Sequence, residues 1–279
     1  MLIQHYPPQE ALSPAGQAYH EELMRRLPLQ AGVEQQYGDD PYQSLLIFPA
    51  SQPTGDVLVF FHGGGWTSGY KEWMSFMAPP LGAAGITFVS AGYRLAPRHL
   101  FPTGFLDCCD AVATVATYIA RYGGNPDRIF VGGHSAGGHY SALMAVRRDW
   151  QAEQGLPSNI IRGCLPISGV YTFGEGSGLT MRPRFLGPVD NPAAAVLTEK
   201  ASPLKMIQGT PPSFLLAFGT KDFPHLIPQA DMMARELRAA GGKVVELAME
   251  GRDHFTASYA GGDAEGPWVR AATGWMISQ

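Results

Sequence analysis

Cysteine is scarce in this chain: the three present, Cys108, Cys109 and Cys164, are an odd number with one adjacent pair. Such a set makes a poor disulfide framework, and buried free thiols are the expectation. An excess of one charge is also missing. Twenty Lys and Arg against 24 Asp and Glu leave a formal net charge of −4. With no basic stripe, neither a nucleic-acid nor a membrane-surface partner is expected. The longest apolar runs fall far short of a membrane span. The opening MLIQHYPPQE has no positively charged start followed by an apolar stretch, so no secretory signal is expected. There is no repeat of fixed period and no low-complexity tract. A cytoplasmic protein fits these absences.

What is present is 279 residues, 45% of them hydrophobic, enough for a large core in one α/β domain. Residues 8–27 read as a helix, with Ser13-Pro14 as cap and first-turn proline. This stretch precedes the main pattern and is expected to lie over the core as a flap. SLLIFPA, residues 56–62, ITFVSAGY, RIFVGGH, IIRGCLPISG, SFLLAFG and KVVELAM read as strands. Between them, residues 74–84, 103–122, the stretch after Ser135, residues 225–241 and the end of the chain read as helices. Alternation of this kind implies a parallel sheet covered on both faces. Residues 172–203 break the rhythm with a long, turn-rich segment, expected to build a lid or pocket wall. No linker divides the chain.

Gly133-His134-Ser135-Ala136-Gly137 has the form G-x-S-x-G at a strand-to-helix junction. There a serine can occupy a strained turn that small neighbours permit, its hydroxyl above the sheet. The competing reading is a glycine-rich turn binding phosphate at a helix N-terminus. A serine hydroxyl is a weak nucleophile until a base takes its proton, so a histidine and an orienting acid are required. In this architecture the acid follows a late strand and the histidine follows the last one. Asp222 and His254 occupy those places. Asp231 and Asp253 are the competing acids. His225 and His139 are the competing histidines, each more simply read as a pocket or surface residue. No H-E-x-x-H spacing occurs, so no metal site is expected.

Three consecutive glycines follow the strand VLVFF in FFHGGGWTSG. Attack on a carbonyl creates an oxyanion, which backbone N–H groups can hold only where no side chain blocks the approach. Gly64 and Gly65 are expected to supply two donors and Ala136 a third, with His62 bracing the loop by a hydrogen bond. Trp66, Tyr70, His134, Tyr140, Phe185, Phe223 and Phe255 are candidate pocket residues, and each fits core packing equally well.

HGGGW, YRLAPRHLFP and GGHSAGGH together resemble the α/β-hydrolase superfamily, specifically the hormone-sensitive-lipase-like carboxylesterases and their relatives the arylformamidases (kynurenine formamidases). The resemblance covers roughly residues 56–260. It implies the α/β-hydrolase fold, with a mostly parallel eight-stranded sheet, helices on both faces and a small cap from residues 1–30 and 172–203. It also implies a serine hydrolase mechanism without cofactor, and Arg94 and Asp107 as structural partners. The aromatic and apolar residues near the motifs suggest a pocket for a small acyl or aromatic ester. Those esterases commonly carry an acidic residue just before the nucleophile. His134 stands there instead, as in the formamidase-like branch, which brings in N-formyl aryl amides as an alternative. A reading of a different class, a binding protein on a hydrolase scaffold, is disfavoured because Ser135, Asp222 and His254 are all present. The sequence leaves monomer and homodimer open.

Overall fold

A computed structural model describes residues 3–174, 177, 180–190 and 192–279. Glu175, Gly176, Gly178, Leu179 and Asn191 of the expected lid segment lie outside the described residues. Eight strands form one sheet: β1 (Val33–Gln36), β2 (Ser44–Phe48), β3 (Val57–Phe61), β4 (Thr87–Ala91), β5 (Ile129–His134), β6 (Ile161–Ile167), β7 (Ser213–Lys221) and β8 (Val244–Asp253). Their order is β1-β2-β4-β3-β5-β6-β7-β8. The β1–β2 and β2–β4 pairs are antiparallel, and every pair from β4 to β8 is parallel. The α/β-hydrolase architecture expected from the motifs is the one observed. β3 (VLVFF) is buried at all five positions, as a strand covered on both faces must be.

The described helices are α1 (Pro14–Arg25), α2 (Ala78–Ala83), α3 (Thr103–Tyr118), α4 (Ala136–Val146), α5 (Asp149–Glu153), α6 (Arg182–Leu186), α7 (Ala194–Ala201), α8 (Leu226–Ala239), α9 (His254–Tyr259) and α10 (Pro267–Ile277). They divide the core into two clusters, one on each face of the sheet. Cys108, Val112, Leu143 and Met233 belong to one; Phe60, Leu165, Trp268 and Met276 belong to the other. The three cysteines are buried and unpaired. Among the described residues, no helix is long and apolar enough to cross a membrane.

Two helices differ from the sequence reading, and proline accounts for one. The segment read as a helix over 74–84 is a 3-10 stretch, Lys71–Met77, followed by α2. Pro79 and Pro80 lack N–H groups, so the α-helix starts afresh at Ala78 with its prolines in the first turn. Likewise α1 begins at Pro14, capped by the Ser13 side chain, which accepts from the Gly16 N–H at 3.1 Å. Residues 8–12 are not helical. Here the Gln9 side-chain amide donates to the Gly69 carbonyl at 2.8 Å and accepts from the Gly69 N–H at 2.9 Å. That clamp, rather than a helix, lays the segment across the loop after β3. Strand β1 (VEQQ) has no apolar face and was not visible in the sequence pattern; it is a mostly exposed edge strand.

Besides His254, three imidazoles are buried around the carboxyl ends of the strands: His62, His134 and His139. Burial, aided at His134 by the neighbouring His254, holds them down to about 4, about 3 and about 3 respectively. An unfolded histidine titrates near 6.5. Between these values the unfolded chain binds more protons than the folded one, so stability present above about pH 6.5 drains away as the pH falls toward 4. Each group contributes a slope of up to about 1.4 kcal/mol per pH unit. Urea titrations at pH 7, 6 and 5 are expected to show a progressively lower midpoint. A midpoint unchanged between pH 7 and 5 would contradict neutral burial of these rings.

Candidate active site

The carboxyl ends of the parallel strands bring the candidate residues to one edge of the sheet, where open α/β sheets place their sites. Ser135 stands between β5 and α4 with φ +53° and ψ −113°, a backbone state rarely taken by a residue with a side chain. The turn is tight because α4 leaves directly over the end of β3. A Cβ on Gly137 would stand 2.1 Å from the Phe61 carbonyl oxygen, and one on Gly133 would stand 2.2 Å from the Gly137 carbonyl carbon. The small residues of the motif therefore answer to backbone crossing backbone.

Three side chains form a line. His254 Nε2 lies 3.0 Å from Ser135 Oγ, and His254 Nδ1 lies 2.8 Å from Asp222 Oδ1. A carboxylate only accepts, so Nδ1 carries the hydrogen and Nε2 is left to accept from the serine. Asp222 also accepts from the Phe223 N–H at 2.7 Å and from the Ser168 hydroxyl. Its burial raises the carboxyl, but the bonds from His254, Ser168 and Phe223 and the charge of His254 outweigh this. The net effect holds it below the ordinary aspartate value. The Phe223 ring stacks on the His254 ring with centroids 4.2 Å apart.

The competing residues are engaged elsewhere. Asp253 caps α9 in a reciprocal capping box with Thr256, and Asp231 pairs with Arg235 on α8. His225 lines the cavity and faces Phe223 at 6.0 Å. His139 is neither a pocket nor a surface residue. It is buried, accepts from Trp66 Nε1–H at 3.1 Å, and donates from Nε2 to the Ala201 carbonyl at 2.7 Å. Arg94 and Asp107 are joined by charged hydrogen bonds at 2.7–3.2 Å.

The three glycines have three different reasons. A Cβ on Gly63 would press on His134 Nδ1 at 2.8 Å. Gly64 has φ +111°, and a Cβ there would meet the Ser68 carbonyl oxygen at 2.0 Å. Gly65 has φ +60° with only the Met181 methyl near, at 3.4 Å. The Gly64 carbonyl closes the turn by accepting from the Thr67 and Ser68 N–H groups. Among the described residues, the N–H groups of Gly64 and Gly65 have no acceptor. His62 braces the loop by donating from Nδ1 to the Gly63 carbonyl at 2.7 Å.

A cavity of about 410 Å³ opens over Ser135. Trp66, His134, Phe223 and Phe255 line it, as do Gly64 and Gly65. Tyr70, Tyr140 and Phe185 do not. Tyr70 packs on Tyr6 and Trp73, Tyr140 is buried against Tyr93, and Phe185 is buried flat beneath Trp66 with centroids 4.5 Å apart. In each case an aromatic near a motif serves the core. The cavity walls missed in the sequence are Leu12 and Tyr19 from the N-terminal segment, Trp73, and Met181 and Arg184 from the segment after β6. Ser168 was also missed, since a lone serine after a strand carries no pattern. Among the described residues, no group of three or more His, Cys, Asp or Glu side chains is arranged to hold a metal ion.

The family model described as the alpha/beta hydrolase fold matches residues 58–258. Esterase LipC of Mycobacterium tuberculosis is 30% identical over 233 residues, 78% of this chain and 58% of its own. Esterase LipQ of the same organism is 32% identical over 209 residues, 69% of this chain and 48% of its own. The chain thus spans about half the length of the curated relatives it matches. A solved truncated carbohydrate esterase from gut microbiota superposes with a TM-score of 0.77 at 18% identity, covering 89% of this chain and 95% of that one. This last likeness speaks to the fold alone. Since the family model spans well over half of its residues, the chain belongs to the alpha/beta-hydrolase-fold family.

Proposed function

We propose that this protein hydrolyses small carboxylic esters through Ser135, His254 and Asp222. The observation that carries the reading is the continuous line of hydrogen bonds from Asp222 through His254 to Ser135, ending beneath the 410 Å³ cavity. His254 takes the Ser135 proton as the hydroxyl attacks the ester carbonyl. Asp222, held ionised, stabilises the imidazolium that forms. The N–H groups of Gly64, Gly65 and Ala136 hold the oxyanion. His254 then protonates the departing alcohol, and water, deprotonated by the same histidine, cleaves the acyl-enzyme and frees Ser135. The esterase names of the relatives support ester substrates, and they lend no specific support to a formamide. The aromatic lining, Trp66, Phe223 and Phe255 with Tyr19 and Trp73, suits small acyl or aromatic groups.

Ser135→Ala is expected to fold normally and to lower kcat on a short nitrophenyl ester by on the order of 10³ or more. Labelling by a fluorophosphonate should vanish with it. Asp222→Asn should be severely impaired, whereas Asp253→Asn should turn over normally, since Asp253 caps a helix. The reverse ranking of the two acids would overturn the assignment.

The oxyanion role is best tested at Gly65. A side chain at Gly64 collides with backbone, so its loss of function would be ambiguous. Gly65→Ala meets no backbone and costs about 1–2 kcal/mol of left-handed strain. If its N–H is a donor, kcat per folded molecule should fall at least about tenfold, with a smaller change in KM. A lowered melting temperature with unchanged kcat would remove Gly65 from the oxyanion site.

A further inference from the structure

His134 stands immediately before the serine, is buried, and lies with its ring centroid 4.7 Å from that of His254. Its hydrogen bonds fix its tautomer. Nε2 lies 2.9 Å from the backbone carbonyl oxygen of His254, and a carbonyl only accepts, so Nε2 carries the hydrogen. In the neutral ring Nδ1 is then bare and can only accept. Its partner is the Tyr19 hydroxyl at 3.3 Å. Tyr19 must donate that hydrogen, so the 2.8 Å contact between Tyr19 Oη and Ser258 Oγ runs from the serine hydroxyl to the tyrosine oxygen. The direction of every bond in the chain Ser258, Tyr19, His134, His254 carbonyl is thereby determined.

The Tyr19 ring is clamped independently of its hydroxyl. It meets Trp73 edge-on at 5.5 Å, stacks on Tyr259 at 5.6 Å and lies 5.1 Å from Phe255. The hydroxyl is carried to the one buried imidazole that holds the His254 backbone. Tyr19 belongs to α1, outside the span 58–258 that the family model matches.

From this geometry we infer that Tyr19, acting through His134 and supported by Ser258, is a positioning residue that fixes the backbone of His254 and hence the reach of its Nε2 to Ser135. The inference rests on the reading of Ser135, His254 and Asp222 as the reacting groups. Without the tyrosine donor, a buried imidazole nitrogen is left unpaired and the ring loses one of the two hydrogen bonds that orient it toward the His254 carbonyl. A small displacement of the base is costly, because proton transfer requires close alignment.

The test uses the whole protein, with a short nitrophenyl ester for turnover and a fluorophosphonate for the labelling rate of Ser135. Tyr19→Phe keeps the ring packing and is expected to lower kcat about tenfold, the effect of one unpaired buried group. KM should stay within about twofold, and labelling should slow by the same factor as kcat. Ser258→Ala, which removes only the group that orients the Tyr19 hydroxyl, should give a smaller loss in the same parameters. The double variant should be little worse than Tyr19→Phe, because both act along one path. His134→Gln, whose amide can still donate toward the His254 carbonyl, should retain more kcat than His134→Leu. Wild-type kcat and labelling in Tyr19→Phe would overturn the inference, as would an effect confined to KM or to the melting temperature. Failure of the wild-type protein to label at Ser135 would instead overturn the reading on which it rests.

Discussion

The site depends on a steric contact between backbones. Helix α4 leaves β5 directly above the end of β3, so close that Gly137 leaves no room for a methyl group beside the Phe61 carbonyl. This crossing holds the intervening residue, Ser135, at positive φ and lifts its hydroxyl off the sheet. It also sets the end of β3, and with it the Gly63–Gly65 loop, beside the serine. The proposed nucleophile and the candidate oxyanion donors thus become neighbours through one packing constraint. The strain at Ser135 is sustained because β5 is paired on both sides, with β3 and β6, and both neighbours are buried at the end that carries the turn.

Much of this is legible in the sequence because it is written in residues with few alternatives. Only glycine tolerates the crossing at Gly137 or the φ of +111° at Gly64, so the motifs stand out against the chain. The order of Ser135, Asp222 and His254 is readable for a related reason: each follows a strand whose apolar run marks its end. The aromatic residues carry no such constraint. Trp66 lines the cavity while Phe185 lies buried beneath it, and nothing in their sequence surroundings distinguishes them. Strand β1 is invisible because an exposed edge strand needs no apolar face. Ser168 is invisible because its value lies in one hydrogen bond to Asp222 across two strand ends.

The N-terminal segment shows a further limit of reading by periodicity. Residues before Ser13 look helical in composition, yet their course is set by long-range polar contacts. Gln9 pairs with both backbone groups of Gly69, and Tyr6 meets Lys71 and Glu72 in a buried cluster. Contacts of this kind leave no period in a sequence. They place Leu12 and Tyr19 over the cavity and make the segment part of the wall rather than a loose flap.

The histidines show how one side chain serves two purposes in the same few ångströms. His62, His134 and His139 each lie against a backbone carbonyl, of Gly63, His254 and Ala201 respectively. A neutral imidazole donates from one nitrogen and accepts at the other, so it can join two elements in a fixed direction. His134 joins α1 to the first residue of α9, and His139 joins the Trp66 loop to the end of α7. Burial away from water makes such a ring costly to protonate, and this outweighs the carbonyl bond, which by itself favours the protonated form. His254 differs in its partner. Its Nδ1 donates to the carboxylate of Asp222, and its Nε2 faces the Ser135 hydroxyl. In the proposed reaction it is the imidazole that takes and returns a proton. The other three are buried against carbonyls, and in the proposed reaction a second cation at His134 would oppose the imidazolium formed at His254.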